Sequence, residues 1–384
     1  MRPLVPRSVR LLSTAPCPST AAATKKRVKL VEVSPRDGLQ NEKTLLPAEV
    51  KVELVRRLVE SGMADVEAGS FVSPKWVPQM STTPLVLSSP VLSSLRLAHP
   101  SLSLPVLVPN ARGLSSLLSL QASHSSAHPA DPPLTREVAV FVSATEGFSR
   151  ANLNCDVATS LAQLEPVFET AKAHGLRVRA YVSVVLGCPF EGAVESEKPA
   201  EVAKRLVEMG AYEVSLGDTV GVGVPVGWER LVNECERRGV GVDKLAIHAH
   251  DTYGTAIASI LHCVSLGLTT VDASLAALGG CPYSPGATGN VSTEDVLYAL
   301  SASGIPTTVL PDPDVAAGEG WSLVHGVPGE RQKRFEELCD VGEWVSQQVG
   351  RKNGSRAGRA VRGRKERERA KREKEKEGEG RAKL

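Results

Sequence analysis

The stretch Pro199–Asp251 reads PAEVAKRLVEMGAYEVSLGDTVGVGVPVGWERLVNECERRGVGVDKLAIHAHD. Within it, Pro199–Met209 spaces its apolar residues three and four apart and stops at Gly210, the pattern of an amphipathic helix. Tyr212–Leu216 (YEVSL) is one of the short runs that predict strands, and Lys244–His248 (KLAIH) is another, after a second helix-like stretch. The same alternation extends in both directions. Further strands are predicted at Val28–Val33, Ala64–Ala68, Leu102–Val108, Glu137–Val142, Arg177–Val184 and Thr270–Leu275, with helices such as Ala48–Ser61 between them. Alternating strands and helices imply a parallel sheet, and eight units point to closure as a (β/α)₈ TIM barrel. A doubly wound open sheet is the alternative, but no GxGxxG follows the first strand.

Two stretches interrupt the pattern, Ser123–Pro133 (SHSSAHPADPP) and the Pro- and Gly-rich Pro306–Glu330, and both read as surface insertions. The chain divides accordingly into a leader (1–27), a barrel (28–303, with the 123–133 insertion), an insertion plus C-terminal helix (304–350) and a charged tail (351–384). The tail, including KERERAKREKEKE, has too few apolar residues to bury a core and is expected to be disordered or a solvated helix.

The ends carry address-like features. The first 28 residues contain no Asp or Glu but have Arg2, Arg7, Arg10, Lys25, Lys26 and Arg27 among Ser, Thr, Ala and Leu. That composition is expected of a mitochondrial transit peptide. The chain stops at Ala382-Lys383-Leu384, a variant of the Ser-Lys-Leu peroxisomal address, so an import receptor is an expected partner. Nothing approaches the roughly 20 apolar residues of a membrane span, and the mixed-sign tail argues against a nucleic-acid arm. The seven cysteines show no CxxC and no secreted framework, which fits a reducing compartment.

In such a barrel, chemistry sits at the C-terminal ends of the strands. Here those ends are polar: Ser34-Pro35-Arg36-Asp37-Gly38 after the first strand, Glu67 and Ser70 on the second, Gly217-Asp218-Thr219 after the sixth, His248-Ala249-His250-Asp251 after the seventh, and Gly289-Asn290 beyond the eighth. Residues two apart on a strand face the same way, so both imidazoles can converge on one cation; two structural histidines are the plainer alternative. Two histidines leave a metal site incomplete. Asp37 and Asn290, from strands adjacent in a closed barrel, are available as oxygen ligands. A nitrogen and oxygen set without thiolate suits Mg²⁺ or Mn²⁺ better than Zn²⁺.

Arg36 beside that cation could stabilise an enolate oxygen, or simply pair with Asp37. Glu67 and Asp218 read as carboxylates that orient ligands or hold Arg36, or as a polar top layer of the core. Cys281 lies in the glycine-rich LGGCPYSPGATGN stretch, where a mobile loop and a nearby metal would suit it to proton transfer.

Taken in order, VKLVEVSPRDGLQNEK, VEAGSFVSPKWVPQM, FVSATEGFSRANLNC, YVSVVLGCPFEG, VSLGDTVGVG, HAHDTYGTA and LGGCPYSPGATGN resemble the 3-hydroxy-3-methylglutaryl-CoA lyase family across most of Val28–Leu300. SPRDGLQNE and HxHDTYG are shared with the wider lyase and condensing-enzyme superfamily; SFVSPKWVPQM and LGGCPYSPGATGN are far more specific. The resemblance implies a TIM barrel with Asp37, His248, His250 and Asn290 as metal ligands, the set reached from strand geometry. It implies Arg36 as the enolate-stabilising residue, Cys281 as the loop cysteine, and Glu67 and Asp218 as supporting acids. It also implies retro-Claisen cleavage of an acyl-CoA substrate; a homodimer is expected, and the two ends point to the mitochondrial matrix with the peroxisome as an addition. Ala277 departs from the family, which usually has Gly there. A Claisen-type synthase using the same kind of site, and a non-catalytic relative, are the competing expectations.

Overall fold

The computed structural model describes residues 26–280, 289–309 and 330–381. Eight parallel strands make one sheet: β1 Lys29–Glu32, β2 Gly69–Ser70, β3 Val106–Leu107, β4 Glu137–Ser143, β5 Arg177–Ser183, β6 Glu213–Asp218, β7 Leu245–Ala249 and β8 Thr270–Ala273. Their lateral order is β1-β8-β7-β6-β5-β4-β3-β2. The sheet closes because Glu32 bridges Val66 in parallel, with Glu32 N–H donating to Asp65 O and Glu67 N–H to Glu32 O, both at 2.9 Å. The expected TIM barrel is the fold.

The second predicted strand, Ala64–Ala68, is extended but its ladder is broken, and the two-residue β2 begins only at Gly69. Pro105, opposite it, has no N–H to give; Ala68 N–H still donates to Pro105 O at 2.9 Å.

Helices surround the sheet: α1 Ala48–Glu60, α2 Thr83–Leu87, α3 Pro90–Ala98, α4 Ala111–Ala127, α5 Glu146–Leu153, α6 Val157–Ala173, α7 Glu197–Glu208, α8 Pro225–Arg237, α9 Ala256–Ser265 and α10 Thr293–Ala302. Their apolar stripes pack on outward-facing strand residues such as Val178, Ala180 and Val182 of β5, forming the main core. The inward-facing residues of that strand, Arg179 and Tyr181, are buried too. They begin a chain of polar contacts up the barrel axis: Lys29 Nζ to Glu213 (2.9 Å), Arg179 Nε to Glu213 (2.6 Å), and Arg179 to Asp272 (2.6 Å). Buried charges are tolerated only when paired in this way.

Two expectations about the periphery change. The first part of the Ser123–Pro133 insertion is the last turn of α4, held because His124 is buried 3.5 Å from Asp131. The tail expected to be disordered or a solvated helix is helical, and its start belongs to the fold. After α11 (Glu330–Val349), Asn353 and Ser355 are buried, and α12 runs from Arg356 to Arg381 with Val361 1% exposed. Composition concealed this, since Val361 and the partly buried Ala357 give the helix little apolar signal, while ion pairs to α11 such as Lys365–Asp340 (2.7 Å) and i,i+4 pairs such as Arg362–Glu366 and Arg369–Glu373 support it. No helix among the described residues is long and apolar enough to cross a membrane.

Candidate metal centre at the barrel mouth

Arg36 and Asp37 leave β1 on a single π-helical turn, Ser34–Gly38. The buried Glu32 carboxylate pins that turn, accepting from Ser34 N–H (2.9 Å), Leu275 N–H (3.0 Å) and Thr293 Oγ1 (2.6 Å). Gly38 is required at the end of the turn, because a Cβ there would lie 2.5 Å from Ser274 Oγ. Two strands from β1, His248 on β7 and His250 just past its end have ring centroids 5.5 Å apart. Beyond β8 the chain returns in an antiparallel bridge between His250 and Asn290.

These elements converge. Ligand atoms of Asp37, His248 and His250 all lie within 4.8 Å of one another. Asn290 Nδ2 donates to Asp37 Oδ2 at 2.8 Å, so the fourth predicted ligand stands beside the first. It is the amide oxygen of Asn290 that could meet a cation. The donor set suits one. Burial pushes His250 down to about 4, reinforced by His248 and opposed by Asp37, so at neutral pH its ring is uncharged. Its Nδ1 is buried with no hydrogen-bond partner among the described residues. Burial would raise the Asp37 carboxyl, but Arg36, then His248, then the Asn290 bond hold it below the ordinary range. A carboxylate, two imidazoles and an amide oxygen fit a divalent cation.

Arg36 is itself held, donating to Asp37 Oδ1 at 2.7 Å and to Glu67 Oε2 at 2.8 Å, 5.0 Å above the Tyr181 ring. Tyr181 hydroxyl donates to the same Glu67 oxygen at 3.0 Å. Burial opposes the Arg36 charge, but Glu67 and Asp37 outweigh it and raise its pKa. Burial pushes the Glu67 carboxyl up, against the pull of Arg36.

Asp218 is placed differently. Its carboxylate accepts from the N–H groups of Gly221 (3.1 Å), Val222 (3.2 Å) and Gly223 (2.7 Å), fixing the loop after β6. Of the expectations weighed for it, holding Arg36 falls to Glu67 instead. Cys281 lies outside the described residues.

Two supporting residues escaped sequence reasoning. Asp272 Oδ2 lies 3.2 Å from His248 Nδ1 and also accepts from Ser215 (2.6 Å), while Arg179 holds its other oxygen. Burial would raise the Asp272 carboxyl; Arg179 and His248 hold it far below its usual value. The signal was there, since Asp272 and Arg179 are charges in the middle of strand-like runs.

Arg36, Asp37, His248 and His250 line the inner end of a cleft of about 1420 Å³, which runs outward past Trp76 and Arg112. Fold and site together define a (β/α)₈ barrel with a candidate divalent-cation centre and a cationic side chain beside it, opening on a cleft large enough for an extended ligand. The HMGL-like family model matches residues 27–312, and the chain belongs to that family; it is an enzyme, a carbon–carbon lyase. It is 44% identical to the mitochondrial hydroxymethylglutaryl-CoA lyase of Arabidopsis thaliana over 88% of this chain and 62% of that protein. Against the rat mitochondrial enzyme of the same name, identity is 40% over 92% of this chain and 94% of that protein. A crystal structure of hydroxymethylglutaryl-CoA lyase from Pseudomonas aeruginosa superposes with a TM-score of 0.74 at 40% identity, over 88% of this chain and 99% of that one. An Acinetobacter baumannii HMG-CoA lyase solved with coenzyme A and 3-methylmalate matches with a TM-score of 0.71 at 27% identity, over 88% and 97%.

Proposed function

We propose that this chain is a divalent-metal-dependent lyase cleaving 3-hydroxy-3-methylglutaryl-CoA to acetoacetate and acetyl-CoA. The observation that carries the reading is the meeting of Asp37, His248 and His250 within 4.8 Å, beside Arg36, at the inner end of the cleft. The names of the relatives and the coenzyme A complex of one of them support the substrate class.

In this reading Asp37, His248, His250 and Asn290 hold Mg²⁺ or Mn²⁺. The cation supplies Lewis-acid polarisation of substrate oxygens. The C3 hydroxyl gives its proton to a base and becomes the ketone of acetoacetate as the C2–C3 bond breaks. The bonding pair passes to C2 and the thioester carbonyl, forming the acetyl-CoA enolate. Arg36 faces the charge that develops on the enolate oxygen, and Glu67 and Tyr181 keep its fork aimed there. Asp272 fixes the His248 tautomer, and Asp218 supports the floor of the site through the Gly221–Gly223 loop. Protonation at C2 completes acetyl-CoA, and Cys281 is assigned to that proton traffic. The reaction belongs to leucine catabolism and ketone-body formation. The chain is assigned to the mitochondrial matrix as a homodimer, with Ala382-Lys383-Leu384 as a peroxisomal address.

Purified protein with Mg²⁺ is incubated in parallel with hydroxymethylglutaryl-CoA and with acetyl-CoA plus a panel of 2-oxo acids. Acetoacetate in the first reaction alone is expected. Condensation product in the second, or no acetoacetate in the first, overturns the assignment in favour of a synthase or a non-catalytic relative.

A further inference from the structure

Glu42, Asp251 and Asp295 each follow closely on a proposed ligand: Glu42 on Asp37, Asp251 on His250, and Asp295 on Asn290. All three are tied to one short piece of chain far away in sequence, Val349–Arg356. Arg351 NH1 pairs with Glu42 at 2.7 Å, and Thr44 Oγ1 donates to Val349 O at 3.0 Å. Ser355 Oγ donates to Asp295 at 2.9 Å, and the Arg356 backbone N–H does so at 3.1 Å. Arg356 NH1 reaches Asp251 at 2.6 Å. That last arm is the weaker one, because the Arg356 side chain is 61% exposed and water screens the pair.

The same segment clamps a strained turn. Ala276 and Ala277 both have left-handed backbones, φ 57° and 54°. Side chains disfavour that region, and it persists only where surroundings over-determine it. Here both carbonyls are claimed from the C-terminal segment: Gly354 N–H donates to Ala276 O at 3.0 Å, and Arg351 NH2 to Ala277 O at 3.3 Å. Gly354 must be glycine, because a Cβ there would stand 2.9 Å from Ala277 Cβ. The turn leads directly into Leu278 and Gly279; Leu278 O accepts from Asn290 Nδ2 at 3.2 Å, and a Cβ on Gly279 would meet that nitrogen at 2.6 Å. Displacing the turn displaces Asn290.

We propose that Arg351–Arg356 is a strap that sets the spacing of the ligand-bearing loops, with Arg351 its principal positioning residue. The strap adds an outer tie to loops that the Glu32 carboxylate already links from within the barrel. This inference rests on the ligand assignment above.

The test uses full-length Arg351→Gln, Arg351→Lys and Arg356→Gln proteins and the double Gln variant. Mn²⁺ binding is read by EPR, amide hydrogen exchange on the metal-free protein, and melting by circular dichroism. For Arg351→Gln, the Mn²⁺ dissociation constant is expected to rise about tenfold, in line with other outer-shell losses. Exchange should accelerate in Ser274–Gly280 and not in β4 and β5. Arg351→Lys, which keeps the charge, should recover part of both effects, and Arg356→Gln should show the smaller change. Mn²⁺ affinity and exchange within twofold of wild type in the double variant would overturn the strap, as would acceleration spread evenly over the barrel. If wild-type protein binds no Mn²⁺ while Ser274–Gly280 still loosens selectively, the ligand assignment fails and the clamp on the turn stands.

Discussion

Asp272 and His248 face each other inside the barrel, carboxylate Oδ2 to Nδ1 at 3.2 Å, and this contact fixes which imidazole nitrogen looks into the site. With Nδ1 turned to a carboxylate anchored by Arg179 and Ser215, Nε2 is left facing Asp37 at 3.8 Å. Asp272→Asn keeps the shape but removes the charge. It is expected to weaken Mn²⁺ binding by roughly 10- to 100-fold. Isothermal titration checks this, and affinity equal to wild type would remove Asp272 from the site.

Arg36 is expected to matter to the reaction far more than to metal binding. Arg36→Gln should lower kcat by roughly 10²- to 10³-fold, the usual cost of losing one donor to a developing oxyanion. The Mn²⁺ dissociation constant should change much less. Steady-state kinetics beside a metal titration separates the two; parallel losses would recast Arg36 as a prop for Asp37.

Ala277 occupies a left-handed position that glycine adopts without strain. The side-chain penalty there is about 1–2 kcal/mol, and glycine gives back roughly 0.5–1 kcal/mol in chain entropy. Ala277→Gly should therefore stabilise the protein by up to about 1.5 kcal/mol, read from urea midpoints. A clear destabilisation would mean the methyl group packs to more purpose than its backbone suggests.

Glu294 is fully buried, and its carboxyl accepts from the N–H of Ala276. Burial pushes it up from 4.5 to about 8; its backbone hydrogen bonds pull the other way, while Asp295 and Glu32 add to the rise. Because the folded state holds this proton more tightly than the unfolded one, its stabilising contribution is full below pH 4.5 and is lost as pH rises toward 8. Metal-free wild type should thus lose stability across that window, and Glu294→Gln should flatten the decline. Identical urea-midpoint profiles for the two proteins would contradict the assignment.

The barrel was legible because β-branched runs alternate with amphipathic stretches, and the HxH pair because a strand's period of two admits only one geometry. Asp37 and Asn290 followed from barrel adjacency, and the structure brings them together. What escaped did so for physical reasons. Pro105 broke a ladder that hydrophobicity alone made continuous. Asp272 and Arg179 point inward from strands whose outward faces carried the apolar signal. Asp218 sits at a strand end, as a site carboxylate would, but turns to its own loop, and no local pattern distinguishes the two. The segment from Arg351 looked like tail because its attachments are hydrogen bonds to distant loops, which composition cannot reveal.

Bond cleavage is predicted to depend on a metal held by the strand-end ligands. EDTA-treated protein is titrated with Mn²⁺ under EPR while acetoacetate release from 3-hydroxy-3-methylglutaryl-CoA is followed in the same samples. Activity is predicted to be absent in EDTA and to rise in step with a single tight site, with His248→Ala losing both. Full cleavage in EDTA, or a His248→Ala protein that binds and cleaves as wild type does, would contradict it.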